Sequence, residues 1–241
     1  MHGLVQQTTA EALNDLKRAI DLEPKHISWY QLTIEPNTVF YRSPPLLPVE
    51  DTLADIQDAG QAFLRKHGFV QYEVSAYAKP RARINNTNMM MSTQQNNLEA
   101  IQNLYYAQHN ANYWRFGDYL GIGAGAHSKI TDLQESGLGR IIRSQKTRAP
   151  KDYLNPNKSF ISKQDVVAKN SLPFEFMMNA LRLNHGVEAC LFSERTSLTL
   201  NSIASTLSSL KDDALLEDSL KSIVLTPLGR RFLNSVLERF M

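Results

Sequence analysis

Apolar residues along this chain recur in two periods that alternate from segment to segment. Leu13, Leu16 and Ile20 fall three and four residues apart, the spacing of one helical face. Thr8 and Glu11 ahead of that stripe fit a capping box, and Pro24 closes the helix. HISWYQLTI, 26–34, is dense in β-branched and aromatic residues and predicts a strand, stopped by the turn-forming Glu35, Pro36 and Asn37. The proline-rich SPPLLP, 43–48, reads as an extended connection. From about Asp51 a second helix turns Leu53, Ile56, Phe63 and Leu64 inward, with Gly68 as its C′ residue. Further strands are predicted at FVQYEVSAYA (69–78), YLGIGAGAHSKI (119–130) and GRIIRSQK (139–146). Helix, strand, helix, strand is an α/β rhythm, and the helices between the first two strands predict parallel pairing.

Residues 81–108 break the rhythm. They hold ten Asn or Gln residues and a Met triplet, and read as a mobile surface insertion without chemistry of its own, with one weak amphipathic helix through Leu98, Ile101 and Tyr105. From about 160 onward the pattern becomes helices plus one hairpin. A helix over 173–183 carries Phe174, Met177, Met178 and Leu181 on its apolar side, and a second spans 200–210. Leu215, Leu216 and Glu217 pair with 222–225 as a small wing. Thr226 then caps a last helix with Pro227 at N1 and a stripe of Leu228, Phe232, Val236 and Phe240. This order resembles a winged-helix domain, so two domains are expected, 1–155 and 160–241.

Composition narrows the function classes. With 42% hydrophobic residues in 241, the chain can build a real core. Its 26 basic and 24 acidic residues leave a net charge of +2, without the clustered excess that phosphate binding shows. The last helix holds only Arg230, Arg231 and Arg239, and 211–219 is acidic, which argues against nucleic acid. No apolar run approaches the roughly 18–20 residues of a membrane span. The first residues lack the pattern of a secretory signal, so a cytoplasmic protein is expected. Cys190 is the only cysteine, which excludes an internal disulfide, a Cys-rich zinc site, and an Fe–S cluster ligated by this chain unaided. Between apolar neighbours it reads as a small buried hydrophobe.

Candidate chemistry concentrates in QHNANYWRFGDYLGIGAGAHS, 108–128. His109 and Tyr113, four apart, share a helical face, and imidazole and phenolate are both axial ligands of haem iron. Asn110 is placed to orient an imidazole. The alternative is that His109 caps an element starting at Asn112. Gly121, Gly123 and Gly125 alternate in an extended run and would leave one face bare for a ligand or another strand. A dinucleotide fingerprint fails, because SKITDLQESG is no helix to hold a pyrophosphate. His127 is either a site residue or a satisfied strand-end histidine. Arg140, Arg143, Lys146 and Arg148 form a basic strip that reads as a solvated face. Glu35, Glu73 and Asp118 show no spacing for acid–base work, and no Walker loop, G-x-S-x-G elbow or H-E-x-x-H motif is present.

Four blocks, HISWYQLTIEPNT, GFVQYEVSAYAKP, QHNANYWRFGDYLGIGAGAHS and KTRAPKDYL, resemble in order the HemW family, radical-SAM proteins similar to oxygen-independent coproporphyrinogen III oxidase. The tail resembles the family's HemN-type C-terminal domain. The resemblance implies an α/β fold: the end of a partial (β/α) barrel, followed by a helical winged-helix-like domain. It implies a haem chaperone that delivers haem to client haemoproteins, with the family's HNxxY motif intact as His109, Asn110 and Tyr113, and His109 as the iron ligand. In the family a [4Fe–4S] cluster and S-adenosylmethionine occupy the radical-SAM barrel. Thr33, Gly121, Gly123 and His127 are the positions here that would contact S-adenosylmethionine. The sequence departs from the family pattern in lacking the C-x-x-x-C-x-x-C cluster motif, in the 81–108 insertion, and in Ala107 where cysteine is common. MHGL, 1–4, resembles the end of the family's fifth barrel strand. The expectation is therefore a catalytically inactive piece dependent on a separate N-terminal radical-SAM half, with one strand edge and apolar surface left bare. Coproporphyrinogen III oxidation, and a plain interaction module, are the alternatives.

Overall fold

The expected capping box forms: Thr8 Oγ1 accepts from Glu11 N at 3.3 Å, and the Glu11 carboxylate accepts from Thr8 N at 2.8 Å. It starts α1 (Thr9–Asp21), which buries Ala12 and Leu16 against α3 (Glu50–Lys66). Between them lie β1 (His26–Ser28) and a single turn, α2 (Val39–Arg42). At the end of α3, Gly68 takes φ +81° and donates to Arg65 O, the C′ geometry its position predicted. The computed structural model describes residues 1–81, 104–132 and 139–241, which divide into two compact units, Met1–Ala107 and Gln108–Met241.

In the first unit the strand expected over 69–78 is a hairpin. β2 (Val70–Glu73) and β3 (Ala76–Ala78) meet across a turn where Glu73 Oε1 accepts from Ser75 N and Oγ, each at 3.1 Å. The turn places β3 between its neighbours, in the order β1-β3-β2 with every pair antiparallel. The expected parallel pairing of the first two strands is thereby corrected, because β3 occupies the slot between them. The 26–34 segment also divides. Residues 26–28 pair with β3, whereas His2 N donates to Tyr30 O at 2.9 Å and Leu32 N to His2 O at 2.8 Å, a parallel bridge. The edge expected to be bare is thus paired at residue 2, while Val39, Tyr41, Leu46 and Val49 remain exposed apolar surface. The core gathers Leu16, Trp29, Ile56, Leu64, Phe69 and Tyr77. The helix expected through Leu98 and Ile101 lies outside the described residues. Tyr105 itself sits in a non-helical stretch beside the Pro80–Leu104 bridge.

The second unit opens with α4 (Gln108–Trp114) and a sheet of β4 (His127–Asp132), β5 (Arg140–Lys146) and β6 (Ile161–Val166), antiparallel in that order. A single turn, α5 (Pro150–Tyr153), separates the last two strands. Sequence reading misses β6 because ISKQDV is an edge strand exposed along almost its whole length, with no apolar alternation to betray it. The boundary expected near 155–160 lies between β5 and β6, inside this unit. Then follow α6 (Leu172–Ala180), β7 (Val187–Glu188), α7 (Ala189–Thr196), α8 (Ala204–Asp212), β8 (Ser222–Ile223), α9 (Pro227–Arg231) and α10 (Leu233–Glu238).

The expected wing forms. Leu216 bridges Leu225, Glu217 N donates to Val224 O at 2.9 Å, and β7 pairs β8. The order helix, strand, two helices and hairpin is winged-helix-like. Phe116, Phe176 and Phe192 are stacked edge-to-face at 5.7 and 5.3 Å in the core of this unit. The last helix is not continuous: the backbone leaves helical geometry at Phe232 (φ −109°, ψ 33°), and the Phe232 ring is exposed rather than inward. Cys190, expected to be buried, lies exposed in the first turn of α7. Among the described residues no helix is long and apolar enough to cross a membrane.

Thr226 ties the wing to α9. Its Oγ1 accepts from Gly229 N at 3.0 Å and donates to Ala214 O at 2.7 Å. Thr226→Ala removes both bonds, and thermal unfolding should show a loss of about 1 kcal/mol. An unchanged melting temperature would mean the cap contributes nothing.

Candidate functional site

The side chains of interest hang on α4 and on the turn that leads from it into β4. His109 and Tyr113 lie one helical turn apart with their rings edge-to-face at 6.4 Å, and Tyr113 stacks edge-to-face on Tyr119 at 4.8 Å. His109 is exposed and Asn110 half-buried. The helix starts at Gln108, so His109 stands inside its first turn and does not cap an element beginning at Asn112. The C-terminus of α4 is closed by its own residues. Gly117 N donates to Asn112 O at 2.8 Å, and Asn112 Nδ2 donates to Asp118 O at 2.9 Å.

The glycine run is not an extended strand. Tyr119 pairs Lys129 across an antiparallel bridge, and residues between them fold into a turn. Gly123 and Gly125 take φ of +104° and +74°, where L side chains are strained. At Gly121 a Cβ would lie 2.2 Å from the His127 carbonyl oxygen. At Gly121 the space of the missing side chain is thus taken by the chain itself, whereas at Gly123 it stays open and at Gly125 Arg148 comes no nearer than 3.9 Å. The amides are engaged as well: Gly121 N donates to Ser128 Oγ at 2.9 Å and Gly123 N to the Tyr153 hydroxyl at 3.2 Å.

Beside this turn lies a cleft of about 510 Å³, a size typical of small-molecule sites. Tyr113, Trp114, Tyr119, Leu120 and Ile122 give it apolar walls, and His127 stands among them. Leu120 and Ile122 are 77% and 88% exposed, unusual for aliphatic side chains beside a cavity. Gly121, Tyr113 and His127 of the expected site residues line the cleft; His109, Asn110 and Gly123 do not. Thr33 belongs to the first unit, where its Oγ1 donates to Glu35 at 3.2 Å.

Lys129, which sequence reading passed over, is the buried charge of the cleft. Its side chain is 3% exposed, and Nζ donates to Phe116 O and Asp118 Oδ1, each at 3.0 Å, while lying 4.2 Å from the centre of the Phe116 ring. Burial pushes its pKa down, Asp118 opposes this, and Arg195 and Arg143 add to it. For Asp118 desolvation acts upward, but hydrogen bonds from Thr131 N, Lys129 and Thr131 Oγ1 outweigh it and hold the carboxyl below its ordinary range. A lysine in a strand ordinarily faces solvent, so nothing in the local sequence marks this one. The basic strip is largely engaged: Arg140 pairs Asp132 at 2.8 Å, Arg143 pairs Glu175 through both terminal guanidinium nitrogens, and Lys146 lies over Phe160.

One cysteine cannot supply the thiolates of a [4Fe–4S] cluster, and the donor set of this chain does not fit one. Among the described residues no three His, Cys, Asp or Glu side chains converge to hold a metal ion. An exposed imidazole one turn from a tyrosine, beside a cleft with aromatic walls, does fit the chemistry of a haem.

Residues 167–232 match the HemN C-terminal domain family. The whole chain is 42% identical to the heme chaperone HemW of Escherichia coli and 41% identical to that of Haemophilus influenzae, covering 56% and 55% of those proteins. Over its whole length the chain is thus similar to HemW proteins. It is also 26% identical over its full length to the heme chaperone HemW of Bacillus subtilis. In each case it spans little more than half of the HemW protein it matches. A solved structure of coproporphyrinogen III oxidase (HemN) from Escherichia coli, described as a radical SAM enzyme, superposes with a TM-score of 0.66. That match covers 99% of this chain and 53% of the enzyme at 19% identity, so what it shows is the shared fold.

Proposed function

We propose that this chain binds haem at α4 and passes it to client haemoproteins, as its likeness to HemW heme chaperones suggests. The observation that carries the reading is the exposed His109–Tyr113 pair on one helical face, continuous through Tyr113 with the aromatic-walled cleft. His109 supplies the imidazole that would ligate the iron, Asn110 stands beside it to orient the ring, and Tyr113 and Tyr119 form the wall against which a flat macrocycle rests. Exposure serves delivery, because a ligand shielded on every side could not be handed to another protein. A cytoplasmic location accords with that role. Any [4Fe–4S] cluster would need thiolates that the residues of this chain do not supply. Engaged amides at Gly121 and Gly123 give S-adenosylmethionine no donors there.

The test is a haem titration of the purified protein followed at the Soret band, wild type against His109→Ala. The variant should bind at least about tenfold more weakly. Equal affinity would overturn the ligand assignment. Tyr113→Phe keeps the ring and should keep most of the affinity, which separates a wall from a second iron ligand. Coproporphyrinogen turnover by this chain alone would overturn the chaperone reading in favour of an enzyme.

A further inference from the structure

A second groove, of about 630 Å³, lies wholly within residues 189–224 and takes no part in the haem reading. One wall is α8, which presents Ala204, Leu207 and Ser208 at helical spacing. The other is the wing, from Leu216 through the exposed turn to Val224. Small side chains at Ala204 and Ser208, one turn apart, let a second backbone approach closely. Leu220 stands at the rim with 90% of its surface in water, an apolar contact without a partner among the described residues. The floor is apolar through Leu207, Leu216 and Ile223.

The charge on the rim selects the occupant. Asp212, Glu217 and Asp218 line the groove against a single lysine, Lys211, whose ammonium group is drawn to Ser219 O at 3.0 Å and Asp218 at 3.4 Å. The groove is therefore locally acidic on a chain whose net charge is +2. We propose that this groove docks a basic amphipathic helix of a partner protein, its apolar stripe seated between α8 and the wing and its Lys or Arg residues on the acidic rim. An acidic helix would meet like charge there. A cationic one meets complementary charge on the rim at Asp212, Glu217 and Asp218.

The test is fluorescence anisotropy with a labelled Leu/Lys peptide of about 14 residues, four helical turns with leucine at core spacing. The full chain is titrated in, and a Leu/Glu peptide of the same pattern is the control. The Leu/Lys peptide should bind saturably and weaken with salt, and the Leu/Glu peptide should not bind. Charge reversal by Asp212→Lys with Asp218→Lys should weaken binding about tenfold. Leu220→Ser should weaken it severalfold at unchanged salt dependence. These positions are exposed, and circular dichroism of each variant confirms its fold. Equal binding of both peptides, or unchanged affinity after charge reversal, overturns the proposal. So does concentration-dependent self-association abolished by Leu220→Ser, which would assign the groove to a second copy of the chain.

Discussion

Lys129→Ala should lower the stability of the protein by about 3 kcal/mol, read as a fall in the urea midpoint at constant slope. Two losses add. The buried aliphatic stem over the Phe116 ring leaves a cavity, and the Phe116 carbonyl and Asp118 lose the ammonium group that both accept from. Lys129→Met refills the space without the charge and should recover about half of the deficit. The two partners shift in senses that look contradictory, since Asp118 gains from the pair while the Lys129 charge is disfavoured. Exposure resolves this: the lysine side chain is 3% exposed and bears the desolvation, whereas Asp118 is 36% exposed and keeps part of its water. The pH dependence follows. The Asp118 contribution is present above the ordinary aspartate range and is lost as pH falls through its lowered value. The Lys129 penalty is relieved as pH rises from its lowered value to the ordinary lysine value, so stability gains with pH across that window. Lys129→Met should abolish the alkaline gain. An Ala variant that unfolds at the wild-type midpoint would show that the ammonium group and its stem contribute nothing.

Where the sequence speaks through local rules, it is legible. Thr8 with Glu11, Gly68, and Thr226 with Pro227 each took the cap geometry predicted for them, because a cap is decided by a few adjacent residues. Pairing is not local. The single strand read over 69–78 became a hairpin because Glu73 accepts two hydrogen bonds from Ser75, and that one turn changed the sheet from parallel to antiparallel. The edge strand β6 carried no periodic signal at all. At the site, the helical pairing of His109 and Tyr113 was legible from spacing. The glycine run was expected to be extended but turns, because alternation says that side chains are missing and not how the backbone runs: Gly123 and Gly125 take positive φ, and at Gly121 the space is taken by the His127 backbone. Lys129 was invisible, since its partners are carbonyl groups and an aspartate eleven positions upstream.

Gly60→Ala is the second substitution expected to have a large effect, and its sign runs against helix propensity. Gly60 lies within α3, where alanine is favoured by about 1 kcal/mol on intrinsic grounds. A Cβ there would sit 1.9 Å from Trp29 Cη2 and 2.5 Å from Cζ3. The indole is 5% exposed, stacked on His2 at 4.1 Å, and enclosed by the core of the first unit, so it cannot swing aside without displacing its neighbours. Overpacking therefore outweighs propensity, and a net loss of about 2–3 kcal/mol is expected in chemical denaturation. Trp29→Leu removes the obstructing ring atoms at its own cost of about 2 kcal/mol. In that background Gly60→Ala should cost nothing or stabilise by up to about 1 kcal/mol, a coupling of about 3 kcal/mol between the two positions. If Gly60→Ala costs the same with and without the tryptophan, the contact is not what excludes a side chain at residue 60. The glycine would then be acting through the backbone of α3 alone.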